Sequence, residues 1–223
     1  MASIDLKREP RYRYRATTTP AMVTVPPRPF LMVDGEGDPN TAPAYRAAVE
    51  TLYPLAYALR AAVKAATGDA YTVMPLEGLW WADDMSTFSV AAKDEWRWTL
   101  MISLPDAVEQ VDAADVLARA VAAKRPPAGD RVRLESYAEG DAAQVLHRGP
   151  FATEPATIER LHAFIDSEGR ALRGRHHEIY LSDLRRTAPE KLRTLIRQSV
   201  APRWYRTRRG SSSRCEVVPK SPR

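Results

Sequence analysis

The chain holds a single cysteine, Cys215, in a polar stretch near its end. An internal disulfide is therefore impossible, and a structural thiolate metal site is excluded. No apolar run approaches the roughly 20 residues that a membrane-spanning helix needs. The opening stretch, MASIDLKREPRYRYR, puts charges where a secretory signal would carry an apolar segment, so a cytoplasmic location is expected. The histidines offer no HxH or HxxxH pair, and adjacent His176 and His177 diverge on a strand, which favours structural roles over metal ligation. Ser182-Asp183 lacks the GxSxG setting of an activated serine. The GEG and EGD glycines follow no phosphate-loop pattern. No metal or organic cofactor is implied.

What is present fits a soluble mixed fold. Across 223 residues, 44% hydrophobic and 27% charged, the composition excludes collagen-like, disordered and disulfide-rich classes. The net charge of +5 is local. Residues 201–223 carry seven basic residues against Glu216 alone, so the other 200 residues sum to −1. A nucleic-acid-binding fold carries its charge on a folded face; here contact with nucleic acid is expected only through the tail. Residues 1–20 read as a polar arm, poorly ordered or loosely docked, 21–200 as the folded body and 201–223 as a basic disordered tail.

Within the body, Phe30–Val33 reads as a buried strand ending in the turn DGEGDPN. Residues 44–66 carry helical spacing, with Pro54 expected to kink or divide the helix. Tyr71–Met74 and Leu79–Trp81 read as extended. Trp96–Ser103 alternates as a strand, and Asp106–Arg125 returns to helix. After KRPPAG the outline recurs: strands at Val132–Tyr137 and Ala143–His147, a helix over Pro155–Ser167, and a strand at His177–Leu181. A strand, a glycine turn, a proline-led helix and a glutamate-bearing strand thus occur twice, in halves of about 21–125 and 131–200. The fold class expected is α+β, two βαββ units joined edge to edge and related by a pseudo-two-fold axis. Helices would cover one sheet face and leave the other free to form a groove.

Each half places one glutamate beside aromatics, Glu77 before Leu79-Trp80-Trp81 and Glu178 before Ile179-Tyr180. Related by a two-fold, they would face each other across the groove. Desolvation and mutual repulsion would split such a pair into one acid and one base. The alternative is two exposed glutamates that solvate strand ends. Four of the five tryptophans fall between residues 80 and 98. They are core residues or, with Tyr180, walls for a flat ligand. Trp98, Tyr137 and His177 complete the set expected to touch substrate.

Four blocks, DGEGDPN (34–40), MPLEGLWW (74–81), WRWTLMI (96–102) and RHHEIYLSDLRRTAPEKL (175–192), resemble the GyrI-like small-molecule-binding proteins. They are most similar to the stand-alone subgroup of cyclopropanoid cyclopropyl hydrolases. The resemblance implies tandem βαββ modules of SHS2 type. It also implies paired catalytic glutamates at Glu77 and Glu178, with Tyr180, Trp80 and Trp81 in the pocket. The implied reaction opens the cyclopropane of DNA-alkylating spirocyclopropyl-dienones of the CC-1065, yatakemycin and duocarmycin kind, giving detoxification or self-resistance. The other reading is a non-catalytic binder that sequesters flat hydrophobic or cationic molecules. A planar small molecule is the expected partner, with no membrane, for a monomer or homodimer.

Overall fold

Both faces of β3 (Arg28–Glu36) are apolar, Leu31 and Val33 on one and Phe30 and Met32 on the other. Such a strand belongs inside a sheet covered on both sides. The computed structural model, which describes residues 3–10, 13–83, 93–183 and 186–203, places it in an eight-stranded antiparallel sheet. The other members are β2 (Ala21–Val25), β5 (Leu76–Trp81), β6 (Arg97–Ser103), β7 (Arg133–Tyr137), β8 (Gly140–Arg148), β9 (Arg170–Tyr180) and β10 (Arg193–Pro202). Their order is β2-β8-β10-β9-β5-β6-β3-β7. Short strands β1 (Ser3–Ile4) and β4 (Ala70–Tyr71) form a separate parallel pair.

The order is palindromic. Matching β2 with β7, β3 with β8, β5 with β9 and β6 with β10 maps the sheet onto itself, with the β5–β9 pair at its centre. The halves also exchange edges, since β2 adds to β8 and β7 adds to β3. Strand β2, not foreseen in the sequence, therefore closes the far half.

The helices α1 (Pro43–Thr67), α2 (Ala113–Lys124) and α3 (Glu154–Ser167) complete the fold. Helix α1 runs unbroken through Pro54, contrary to the expected kink. Leu52, Leu55 and Ala56 on either side are fully buried, and this burial offsets the hydrogen bond that proline removes. Gly68 ends the helix at φ +80° and returns its N–H to the Lys64 carbonyl, a conformation that suits glycine. The helix expected over 106–125 is split. A 3₁₀ turn occupies Asp106–Gln110, and α2 begins afresh where the Asp112 side chain accepts from the Asp115 N–H. Helix α1 packs on Leu31, Val33, Leu100 and Ile102, and α3 sets Leu161 and Ile165 on Ala143, Val145 and Ile196. Strand β9 is twice the expected length, because its first half is held by pairing with β10 rather than by apolar alternation.

The N-terminal arm departs most from expectation. Leu6 and Tyr14 are buried in the core. Arg197 donates to the Arg13 carbonyl (2.9 Å) and Gln144 to the Arg15 carbonyl (3.0 Å). The arm is docked. The tail beyond Arg203, with Trp204, Tyr205 and Cys215, lies outside the described residues. No helix among the described residues is long and apolar enough to cross a membrane.

Trp98 is fully buried with its ring over Gly35, where an added Cβ would stand 2.1 Å from the indole. Overpacking of a rigid ring typically costs about 1–3 kcal/mol. Gly35→Ala should therefore lower the urea midpoint accordingly, and an unchanged midpoint would show that the indole yields freely.

Candidate functional site

The chemistry is sorted by one register. Across β5–β9, Glu77 pairs with Ile179, Gly78 with Glu178, Leu79 with His177 and Trp80 with His176. Direct antiparallel partners share a face and successive residues alternate. Gly78, Trp80, His176, Glu178 and Tyr180 therefore look toward the helices, whereas Glu77, Trp81 and His177 look the other way. Glu77 and Glu178 lie on opposite faces, so the expected shared groove between them does not exist. A one-residue offset in pairing is enough to reverse a side chain's face.

On the helix side, Glu178 sits over the centre of the sheet between the part covered by α1 and the part covered by α3. The Tyr180 hydroxyl donates to its Oε2 (2.8 Å), and His176 Nε2 lies 3.1 Å from its Oε1. Its side chain keeps 14% exposure, enough for access from the groove. The walls are aromatic. Tyr45 of α1 stacks on Trp80 (6.1 Å between centroids, 22° between planes), Trp96 meets Trp80 edge-on, and Phe151 meets Tyr180 edge-on. Trp98 stands behind Tyr45 at 5.5 Å and is fully buried. The Trp80 indole N–H is buried without a hydrogen-bond partner. Burial and the Glu178 charge raise both Tyr180 and Tyr45 well above the usual phenol range. Both stay protonated donors.

At the edge of this groove lies Glu154, the first residue of α3, which sequence reasoning missed. It is 5% exposed, and one carboxyl oxygen has no hydrogen-bond partner. Burial and the neighbouring Glu178 push its pKa up to about 8, against a hydrogen bond from Thr194 and the charge of Lys93. An acid after Thr153 at a helix start ordinarily serves the helix dipole, so the sequence carried no other signal.

The opposite face holds a buried charge network. His177 lies between two carboxylates, Nδ1 at 2.5 Å from Glu139 and Nε2 at 3.0 Å from Glu77. Tyr14 of the arm donates to Glu77, Ser199 donates to Glu139 (2.8 Å), and Arg28 and Arg197 approach the two carboxylates at 4.0 and 3.7 Å. Burial opposes charge throughout, but the partners outweigh it. His177 is raised, Glu77 is lowered, and Glu139 is lowered to about 2. Both imidazole nitrogens thus donate, as imidazolium. Glu77 and His177, expected to face the substrate, are instead fully buried within this network. The arm occupies the place where a helix-free groove was foreseen. Trp81 carries the Arg175 guanidinium 3.5 Å above its ring, and Tyr137 packs edge-on against Phe30 and His177. Both stand apart from the Glu178 groove. Arg197, a charge directly after Leu195-Ile196 in β10, was the readable signal for this network. An open cleft beside β2, lined by Arg13, Met22, Val23, Thr24, Asp141, Glu168 and Arg170, includes none of the expected residues.

Comparison with known proteins places the fold. The model of the GyrI-like small molecule binding domain matches residues 18–200. An uncharacterized conserved protein from Listeria innocua is 35% identical, with a TM-score of 0.79 over 89% of this chain and 100% of its own. A hydrolase from Listeria innocua is 34% identical, with a TM-score of 0.76 over 89% of this chain and 100% of its own. The EcmrR C-terminal domain, 11% identical with a TM-score of 0.53 over 82% of this chain and 98% of its own, shares the fold. No match was found among curated protein sequences.

The buried network predicts a defined pH response. The lowered carboxylates stabilise the fold above the ordinary carboxylate range, and this contribution is lost as pH falls toward about 2 for Glu139. The raised His177 stabilises below the ordinary imidazole range and loses its contribution as pH rises through its own folded value. Glu139→Gln strands His177 and Arg197, and should cost roughly 3–5 kcal/mol at neutral pH. Its acid limb in urea titrations should also be shallower than that of the wild type; an equally steep limb would remove Glu139 from this role.

Proposed function

Since the chain belongs to the GyrI-like small-molecule-binding family, we propose that it is a hydrolase whose groove takes flat electrophiles and adds water to them. The observation that carries this reading is Glu178, a partly accessible carboxylate oriented by Tyr180 and His176 at the centre of an aromatic groove. Two relatives about one-third identical are described as hydrolases, which supports the same reaction class.

The substrate we propose is a spirocyclopropyl-dienone of the CC-1065, yatakemycin and duocarmycin kind. Trp80, Tyr45, Trp96 and Phe151 offer faces and edges that suit planar indole units. Glu178 accepts a proton from a water as the water oxygen bonds to the cyclopropyl CH2. The strained C–C bond breaks, and its electrons move through the dienone to its oxygen as the ring becomes aromatic. His176 and Tyr180 hold the carboxylate, and the walls exclude competing nucleophiles. The former alkylating carbon now bears a hydroxyl and is no longer electrophilic, which would protect DNA. Glu77 takes no part in the chemistry.

A second reading, sequestration of flat cations, draws on Lys93, whose ammonium lies 5.6 Å from the Trp96 ring centroid. The wall already accepts a cation there. Glu178→Gln separates the two readings. A hydrolase retains binding, measured by tryptophan quenching, and loses turnover by at least about 10²-fold; a cation trap loses binding. Glu77→Gln should instead lower stability while the remaining folded protein keeps its turnover. Full activity in Glu178→Gln would end the hydrolase assignment.

A further inference from the structure

A base alone leaves the proposed reaction incomplete, because opening the ring places negative charge on the substrate oxygen. The groove holds a second carboxyl that suits this task. Glu154 is 5% exposed, one of its oxygens is buried without a partner, and the other receives the Thr194 hydroxyl. Thr194 is the cross-strand partner of Tyr180, two positions along β9 from Glu178, and Phe151, three residues before Glu154, packs edge-on against Tyr180. The unpartnered Trp80 indole N–H belongs to the same side of the sheet.

We propose that Glu154 is the proton donor of the Glu178 groove: a neutral carboxyl that hydrogen-bonds an oxygen of the bound ligand and protonates it as the ring opens. The catalytic half of this assignment rests on the hydrolase reading; the protonation state does not. The groups facing Glu154 are Glu178 on β9, Tyr180 beside it, Thr194 on β10 and Lys93 before β6. Its helix N-terminal position and Lys93 favour the carboxylate. Burial and the Glu178 charge oppose them and prevail, leaving the acid protonated up to a pH of about 8.

The step balances. Water loses a proton to Glu178 and forms the new C–O bond. The cyclopropyl C–C bond breaks, and the dienone oxygen takes the proton of Glu154 to become a phenol. Glu178 is then protonated and Glu154 ionised; return of one proton between them resets the site, and the net change is one water added.

The test uses the full chain and the isosteric Glu154→Gln variant, with its folding checked by urea titration. By difference infrared spectroscopy without ligand, the wild type should show a protonated-carboxyl band at pH 7 that titrates near 8. The band should be absent from Glu154→Gln. No band in the wild type, or a band that survives the substitution, overturns the assignment whatever the activity. With a spirocyclopropyl-dienone, Glu154→Gln should bind within a few-fold of wild type and lose at least about 10²-fold in kcat. Its pH–rate profile should also lack the alkaline limb. Wild-type turnover unaffected by the substitution overturns the catalytic role. Absence of wild-type turnover with the band intact overturns the hydrolase reading and the catalytic half with it, while the protonated state of Glu154 stands.

Discussion

The pairing of Gly78 with Glu178 across the central strands decides how this molecule is divided. A residue with a side chain at position 78 would fill the strip opposite Glu178; even a Cβ there would stand 2.6 Å from the Trp80 indole nitrogen. Glycine lets that indole lie over the strand and leaves the carboxylate facing an aromatic surface. The same register turns Glu77 and His177 to the other face, where Glu139, Arg28, Arg197 and Tyr14 enclose them. Neighbouring residues on two strands thus serve opposite ends, one set facing the helices and the aromatic rings and one sealed in the charge network.

The sealed side gives the open side its rigidity. Breaking a buried ion pair leaves an uncompensated charge, so its geometry is strongly enforced. Here the imidazolium of His177 joins β5, β9 and the residue preceding β8, while Arg197 adds β10 and the arm. His177 precedes Glu178 in the chain, so this clamp fixes the backbone that carries the groove carboxylate. The N-terminal arm is part of that clamp through Tyr14. Its burial makes it a component of the fold rather than an appendage.

Much of the architecture was legible. The repeat of strand, proline-led helix and glutamate-bearing strand foretold the palindromic sheet, and the alternation of β6 and the stripe of α1 matched their elements. The aromatic cluster did contribute Trp80 and Trp96 to a wall, with Trp98 behind it as core. What could not be read was register. Hydrophobic alternation assigns a strand two faces, but which face a glutamate takes depends on its partner strand. The pairing of Glu77 with Glu178 failed for that reason. Glu154 and Tyr14 were hidden differently: an acid at a helix start and a tyrosine in a charged arm have ordinary local explanations, and only tertiary burial changes their meaning. The edge exchange of β2 and β7 was equally invisible, being a contact between distant segments.

The central claim is that the groove around Glu178 adds water to a strained, flat electrophile. The most direct measurement is mass spectrometry of a spirocyclopropyl-dienone incubated with the protein in isotopically labelled water. One labelled oxygen in the released, ring-opened product, dependent on Glu178 and with the protein left unmodified, is the predicted result. Recovery of unchanged compound, or a lasting adduct on the protein in place of released product, would contradict it.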